Sequence, residues 1–408
     1  MTTIRLRYLL RPREVTDRTS LQVLSVYRDY GVIPKNSRSD NFNKTPEDIT
    51  RYQEVRVGDL VVNKMKAWQG SVGISAHHGI VSPDYLVCSV APSVDSRFMH
   101  HLLRSAPLAA EFGARSKGIR PAQWRLYWED LAEIRINLPI LDKQRQIADF
   151  LDVETTRIDG LTALRNCQVD LLEDRYRTAI SEFVTPGISS ARERNARWPW
   201  LPARISTSRL GYAARVQTGI TVDSKRETTD DDAEYPYLRV ANVQGEHIDL
   251  AEIKTIIVPR SVAIHSTLMP GDLVMTEANG NPDNLGRGAV WRGEVHGMVH
   301  QNHIFAIRAD PGKLMPEYLS ALLVSDHGRR YFRTTSTQVG IATTSSSKVL
   351  NFPVPLLPMH EQRRVVKQCE EARTVISRGL DVLTRQLALL TERRQALITA
   401  AVTGGITV

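Results

Sequence analysis

Residues 142–188 read DKQRQIADFLDVETTRIDGLTALRNCQVDLLEDRYRTAISEFVTPGI, and residues 360–406 read HEQRRVVKQCEEARTVISRGLDVLTRQLALLTERRQALITAAVTGGI. Laid side by side without a gap, at an offset of 218, they share Gln144/Gln362, Arg145/Arg363, Ile158/Ile376, Gln168/Gln386, Leu171/Leu389, Leu172/Leu390, Arg175/Arg393 and Ile180/Ile398. Both close on Val-Thr-x-Gly-Ile, at 184–188 and 402–406. Upstream, Gly58-Asp59-Leu60-Val61 matches Gly271-Asp272-Leu273-Val274 at an offset of 213, and loop insertions account for the difference. The chain is an internal duplication in which a variable unit precedes each matched segment.

Both matched segments read as long helices. In the second, Cys369, Ile376, Leu383, Leu390 and Leu397 recur every seven residues, with Leu380 and Leu387 at the +4 positions. That is an a/d-type seam. The first has a less regular seam of Ile147, Leu151, Ile158, Leu161, Leu172 and Ala179. Each segment follows prolines, Pro139 or Pro355 and Pro358, and ends near Gly187 or Gly404-Gly405. Proline and glycine are the usual helix boundaries. Two such segments, each trailing a separate unit, predict an antiparallel helix pair joining two globular units.

The 408 residues carry 53 Lys+Arg against 45 Asp+Glu, a formal charge of +8. Residues 142–183 hold six basic and nine acidic groups, and 361–403 hold eight and five, so the helices are complementary in sign. The surplus lies in the variable units, with 20 against 14 in 1–141 and 19 against 17 in 184–360. A polyanion is expected to bind there. With 42% hydrophobic and 24% charged residues the composition is that of a soluble globular protein. The N-terminal stretch has no apolar core followed by a small-residue cleavage site, and no apolar run is long enough for a membrane span. Cys88, Cys167 and Cys369 are odd in number and far apart, which fits a reducing, cytoplasmic setting.

In the first unit strands are expected around Val57–Lys64, Gly73–Ser75 and Ile80–Val87. In the second they are expected around Met269–Thr276, Gly288–Trp291 and His303–Ile307. Between matched strands lie unmatched loops. One holds Lys64, Lys66, Trp68 and Gln69; the other holds Asn279, Asn281, Asn284 and, just beyond, Arg287. Lysine and arginine can read guanine edges, and asparagine and glutamine adenine edges, although Asn-Gly-Asn-Pro is equally good turn chemistry. A second surface precedes each helix. It contains Arg115, Lys117, Arg120 and Gln123 in one unit and Arg333, Gln338, Ser345 and Lys348 in the other. Cations, amides and hydroxyls are the usual phosphate and groove donors, and a solvated loop has the same composition.

The duplicated plan and the proline-led Gln-Arg start of each long helix resemble the specificity (S) subunit of a type I restriction–modification system. So do Tyr237-Leu238-Arg239-Val240-Ala241-Asn242-Val243 and Leu210-Gly211-Tyr212-Ala213-Ala214-Arg215-Val216-Gln217-Thr218-Gly219. The first unit departs at its start, with no clear copy of the latter segment before Val57. The resemblance covers essentially the whole chain. It implies an α+β fold with two α/β target-recognition domains, 1–141 and 188–357, joined by antiparallel helices 142–187 and 358–408 in a pseudo-two-fold arrangement. It also implies double-stranded DNA as ligand, an asymmetric bipartite site, two methyltransferase (M) subunits and motor-nuclease (R) subunits. S-adenosylmethionine, ATP and Mg would then belong to those partners. Helix pairing and partner binding are expected at Gln144, Arg145, Ile158, Leu172, Gln362, Arg363, Ile376, Leu383, Leu390 and Leu397.

No catalytic chemistry is legible. Asn281-Pro282-Asp283-Asn284 lacks the second proline and the aromatic of a methyltransferase motif, and there is no Gly-x4-Gly-Lys-Ser/Thr loop. Pro83-Asp84 and Pro282-Asp283 are followed by no Glu-x-Lys, and His360-Glu361 lacks the second histidine of a zinc-protease helix. His296, His300 and His303 are the densest histidine group, with no cysteine nearby. The expected chain is a non-catalytic adaptor. A type IIB-like system with a fused methyltransferase–nuclease partner, and a coiled-coil scaffold that binds no DNA, remain alternatives.

Overall fold

A computed structural model describes residues 2–28, 30–37, 45–118, 124–221, 230–244, 246–339 and 341–407. The chain divides into two compact units, Met1–Asn166 with Thr384–Val408, and Cys167–Leu383. This differs from a plan of four segments, because half of each long helix is built into the core of each unit.

In unit 1, β1 (Thr2–Arg5) leads through the 3-10 turn Leu6–Tyr8 to β2 (Leu10–Pro12). β3 (Leu60–Asn63), β4 (Val72–Ile74) and β5 (Tyr85–Val90) complete an antiparallel sheet in the order β2-β5-β3-β4. Helices α1 (Ser96–Leu103) and α2 (Ala106–Arg115) follow, and β6 (Arg135–Leu138) returns to pair with β1. Helix α3 (Leu141–Val184) then begins. The core joins Leu6, Leu10, Val62, Phe98 and Phe112 to Ile147 and Leu151 of α3 and to Ile398 and Val402.

Unit 2 repeats the plan. β7 (Ser208–Arg209), a 3-10 turn at Leu210–Tyr212 and β8 (Ala214–Thr218) precede β9 (Leu273–Thr276), β10 (Gly288–Val290) and β11 (Ile304–Ala309). The sheet order is β8-β11-β9-β10, the same topology. Helices α4 (Pro316–Val324) and α5 (Asp326–Thr335) follow, and β12 (Pro353–Val354) pairs with β7 before α6 (Met359–Thr403). Ile180, Val184, Val365 and Val366 enter this core beside Leu273, Phe305, Leu322 and Phe332.

The first unit does carry the opening segment, contrary to the expectation that no copy precedes Val57. Leu6-x-Tyr8-x-x-Arg11 is the copy of Leu210-x-Tyr212-x-x-Arg215. Leu6 N–H donates to Ile134 and Leu210 N–H to Phe352, each at 2.9 Å, and Tyr8 and Tyr212 are equally exposed at 67%. Three identities over six residues are too few to stand out.

The Gly-Asp-Leu-Val repeat is a turn that starts the central strand. Gly58 and Gly271 adopt φ of 90° and 93°, where a side chain is strained. Asp59 and Asp272 accept the N–H of Arg56 and Met269 at 2.8 Å, and each is bonded at 2.7 Å by an arginine, Arg13 or Arg308.

The glutamines of the Gln-Arg pairs are clamps. Gln144 Oε1 accepts Asp95 N–H at 2.9 Å and its amide donates to Pro139 O at 2.8 Å. Gln362 accepts Met315 N–H at 2.9 Å and donates to Lys313 O and Leu357 O, both at 2.8 Å. Both are buried, at 1% and 0% exposure, so their expected role in partner binding or helix pairing is corrected. Each ties the start of a long helix to its own unit, while Arg145 and Arg363 point outward.

Within unit 1, Arg394 bonds Asp159 at 2.9 Å; within unit 2, a side chain at Gly379 would meet Leu172. In each unit the helix segments therefore run antiparallel. Ile376 and Leu383 are buried, and Leu380, Leu387, Leu390 and Leu397 are half-buried, as the heptads imply. The α3 register is corrected. Leu161 is 40% exposed, and Thr162, Arg165 and Val169 occupy the covered positions between Ile158 and Leu172. The charges of the helices also serve the units, as with Arg97 on Asp149 and Arg177 on Asp326. No described helix is long and apolar enough to cross a membrane.

Removing a clamp leaves a backbone N–H and one or two carbonyls without their partner. Gln144→Ala and Gln362→Ala are each expected to cost about 2 kcal/mol in urea unfolding, with Arg145→Ala and Arg363→Ala within about 0.5 kcal/mol of wild type. His327, at 0% exposure, has its pKa pushed down to about 4 by burial, against the pull of its bond to Pro353 O. The unfolded chain takes up this proton near pH 6.5 and the fold does not, so stability falls as pH drops from about 6.5 toward 4. The contribution is about 1.4 kcal/mol per pH unit, and the slope of urea midpoints against pH should shrink in His327→Asn.

Candidate nucleic-acid interface

In each unit the loop that leaves the central strand is stitched to the segment that follows the second helix. Leu126 N–H donates to Lys64 O in unit 1 and Thr344 N–H to Glu277 O in unit 2, both at 2.9 Å. Unit 2 extends the stitch, because Ala278–Asn279 pairs with Ile341–Thr343, the second strand of a hairpin with Thr337–Val339. The two surfaces that the sequence presents separately are thus one surface in each unit.

In unit 1 the loop makes a 3-10 turn at Ala67–Gln69, closed by Gly70 at φ 85°. Trp68 donates Nε1–H to Met65 O at 3.1 Å and packs edge-on against Trp124, with centroids 5.6 Å apart. Arg125 lies 3.4 Å from Asp84 and within 4.0 Å of the Met65 sulfur. Lys64, Lys66 and Gln69 have no side-chain bond among the described residues. Arg115 and Lys117 are held by Glu111 at 2.6 Å and Asp130 at 2.7 Å. Arg120 and Gln123 lie outside the described residues.

Unit 2 presents amides. Asn279 and Asn281 each use Oδ1 to accept an N–H two residues on, at 2.9 and 3.0 Å. This is turn chemistry, and it leaves their Nδ2 donors unengaged among the described residues. Asn284 is half-buried beside them. Arg333 lies 3.4 Å from Asp283, and Lys348 Nζ donates to the Thr337 hydroxyl at 3.3 Å. Nothing is described of the Gln338 side chain. Ser345 caps the helix Ser346–Leu350, accepting Lys348 N–H, so its hydroxyl is structural. Arg287 is half-buried. Burial, then the charge of Arg177, lowers its pKa against the pull of Glu246, and its buried Nε has no partner among the described residues. It sits among Arg177, Arg329 and Asp283.

The histidine group serves separate purposes. His300 is buried with Nδ1 at 2.8 Å from Ser266 O, and His303 is exposed on Glu277 at 2.7 Å. Among the described residues no three His, Cys, Asp or Glu converge on a metal position.

No protein-family model matches this sequence. The chain is 25% identical over 402 residues to the type I restriction enzyme EcoKI specificity subunit of Escherichia coli (strain K12), covering 93% of this chain and 79% of that one. It is 24% identical over 409 residues to the StySPI specificity subunit of Salmonella potsdam, with the same coverage. Over nearly its whole length the chain is thus similar to specificity subunits of type I restriction enzymes. Its fold is also that of a solved chain described as the structural basis underlying complex assembly and conformational transition of the type I R-M system. The TM-score is 0.67 at 17% identity, over 99% of this chain and 98% of that one.

The long helices carry a second pattern beside the seam. Leu164 and Leu171 of α3 are 63% and 61% exposed, and their copies at the 218 offset, Val382 and Leu389 of α6, are 53% and 63% exposed. Val375 continues the seven-residue spacing at 68%. The seam residues Ile158, Ile376 and Leu383 are at most 9% exposed, so the second set is distinct from the seam. Its signal was in the sequence, in the Leu171/Leu389 identity and in the recurrence of 375, 382 and 389. Leu383→Lys should destabilise the chain by about 3 kcal/mol, and Leu389→Lys by less than about 0.5 kcal/mol, in parallel urea titrations.

Proposed function

We propose that this chain is the DNA-reading subunit of a type I restriction–modification complex. It binds double-stranded DNA sequence-specifically and brings methyltransferase subunits, and with them motor-nuclease subunits, to the bound site. The observation that carries this reading is the stitched surface. On two matching sheets, free lysines and a tryptophan pair project in one unit, and unengaged amide donors in the other. Two unlike readers on one repeated scaffold suit an asymmetric, bipartite site, and Lys64 and Lys66 suit phosphate neutralisation. The finer plan, two target-recognition domains in pseudo-two-fold relation with an antiparallel helix pair setting the unread gap, is part of this proposal.

Methyl transfer and cleavage would belong to the partners, which would hold S-adenosylmethionine, ATP and Mg. Each unit has its own exposed apolar pair at equivalent positions of the repeat, Leu164 and Leu389 in unit 1 and Val382 and Leu171 in unit 2, which suits two copies of one methyltransferase subunit.

Methylome sequencing of cells expressing this chain with its methyltransferase should recover one bipartite motif. Exchanging residues 64–69 for another loop should change one half-site and spare the other. Lys64→Ala/Lys66→Ala should weaken binding and flatten the log Kd against log salt slope by about 2. Modified adenines without a bipartite motif would sink the proposal.

A further inference from the structure

Unit 2 contains a cleft of about 500 Å³ between α4, the first turns of α6 and the last turns of α3. Its floor is apolar, from Ile180, Ala321, Val366 and Cys369, and four glutamates face two arginines around its rim. Glu246 is engaged by the Tyr176 hydroxyl at 2.9 Å and by Arg373 at 3.4 Å, and Glu294 accepts Arg292 N–H at 3.0 Å. The carboxylates of Glu317 and Glu370 have no hydrogen bond or ion pair among the described residues.

The duplication shows what occupies this place when the chain fills it itself. The helix caps Ser105 and Ser325 match at an offset of 220, each hydroxyl donating three residues back, and the long helices match at 218. Arg97, His100, His101 and Asp152 of unit 1 therefore stand where unit 2 has Glu317, Ser320, Ala321 and Glu370. Arg97 lies 2.8 Å from both Asp149 and Asp152, and the His101 ring lies 3.3 Å from Asp152. His100 accepts Ile74 N–H at 3.2 Å, and Arg394, the counterpart of Tyr176, bonds Asp159 at 2.9 Å. Guanidinium and imidazole groups close the place in unit 1. In unit 2 serine and alanine replace two rings and hollow it out, and glutamate replaces the arginine that faced the acidic group.

We propose that the unit 2 cleft receives an arginine side chain from a methyltransferase subunit, with its guanidinium between Glu317 and Glu370. The arginine stem covers the apolar floor, which a bare cation leaves wet, and the planar head suits two carboxylates. The proposal rests on the reading that the chain assembles with such subunits. Because unit 1 is closed by its own side chains, the two partner copies then make unequal contacts.

The test is isothermal titration of the full-length chain with its purified methyltransferase subunit. Wild type should bind with salt-dependent affinity. Glu317→Gln/Glu370→Gln should weaken one of two binding events at least tenfold and remove most of its salt dependence. Ser320→His/Ala321→His, which refills the cleft as unit 1 does, should weaken the same event. If that variant does not fold, the rim variant, which adds no bulk, decides alone. Wild-type assembly with unchanged affinity and salt dependence in the rim variant overturns this proposal and leaves the assembly reading standing. A wild-type chain that captures no methyltransferase subunit overturns both.

Discussion

Two carboxamides, Gln144 and Gln362, stop a pair of long amphipathic helices from being free appendages. Each accepts a backbone N–H from the loop before a short helix, Asp95 or Met315, and donates to the carbonyl that ends the preceding strand region, Pro139 or Leu357. A buried amide holds such a joint only if all its bonds are made, since any one left open carries the full desolvation cost. With the helix start fixed, Ile147 and Leu151 or Val365 and Val366 are delivered into the core of the unit. The sheet and the helix pair of each unit are joined through that attachment.

The helices were legible in the sequence because seven-residue spacing is a property of the chain alone. Their inward seam at Ile376 and Leu383 follows from it. What Gln144 and Gln362 do was not legible, because a glutamine beside an arginine at a helix start looks like exposed surface until its partners, some 50 residues upstream, are in place. The copy of the opening turn at Leu6–Arg11 was hidden by its brevity. The joining of Lys64 to Leu126 and of Glu277 to Thr344 was hidden by its range, since backbone bonds between distant loops leave no side-chain pattern. The loop residues themselves were legible as chemistry only. The Asn279 and Asn281 side chains spend one oxygen each on the turn, as turn chemistry requires, and their Nδ2 donors stay unengaged among the described residues.

Duplication makes the differences between the units informative. Where both copies keep a feature, such as the Gly-Asp turn, the feature serves the scaffold. Where they diverge, at the loops after β3 and β9 or at the cleft beside α4, the divergence assigns separate tasks. An exposed tyrosine kept in both, Tyr8 and Tyr212, sits between these cases, being surface that has not diverged.

Unit 1 takes Ile398, Ala401 and Val402 into its core, whereas unit 2 is one uninterrupted stretch, Cys167–Leu383. During synthesis the first unit therefore emerges with its apolar surface incomplete and waits for the last turns of α6. More than 200 residues separate the two parts of unit 1 in the chain, so its closure depends on a contact of very long sequence range.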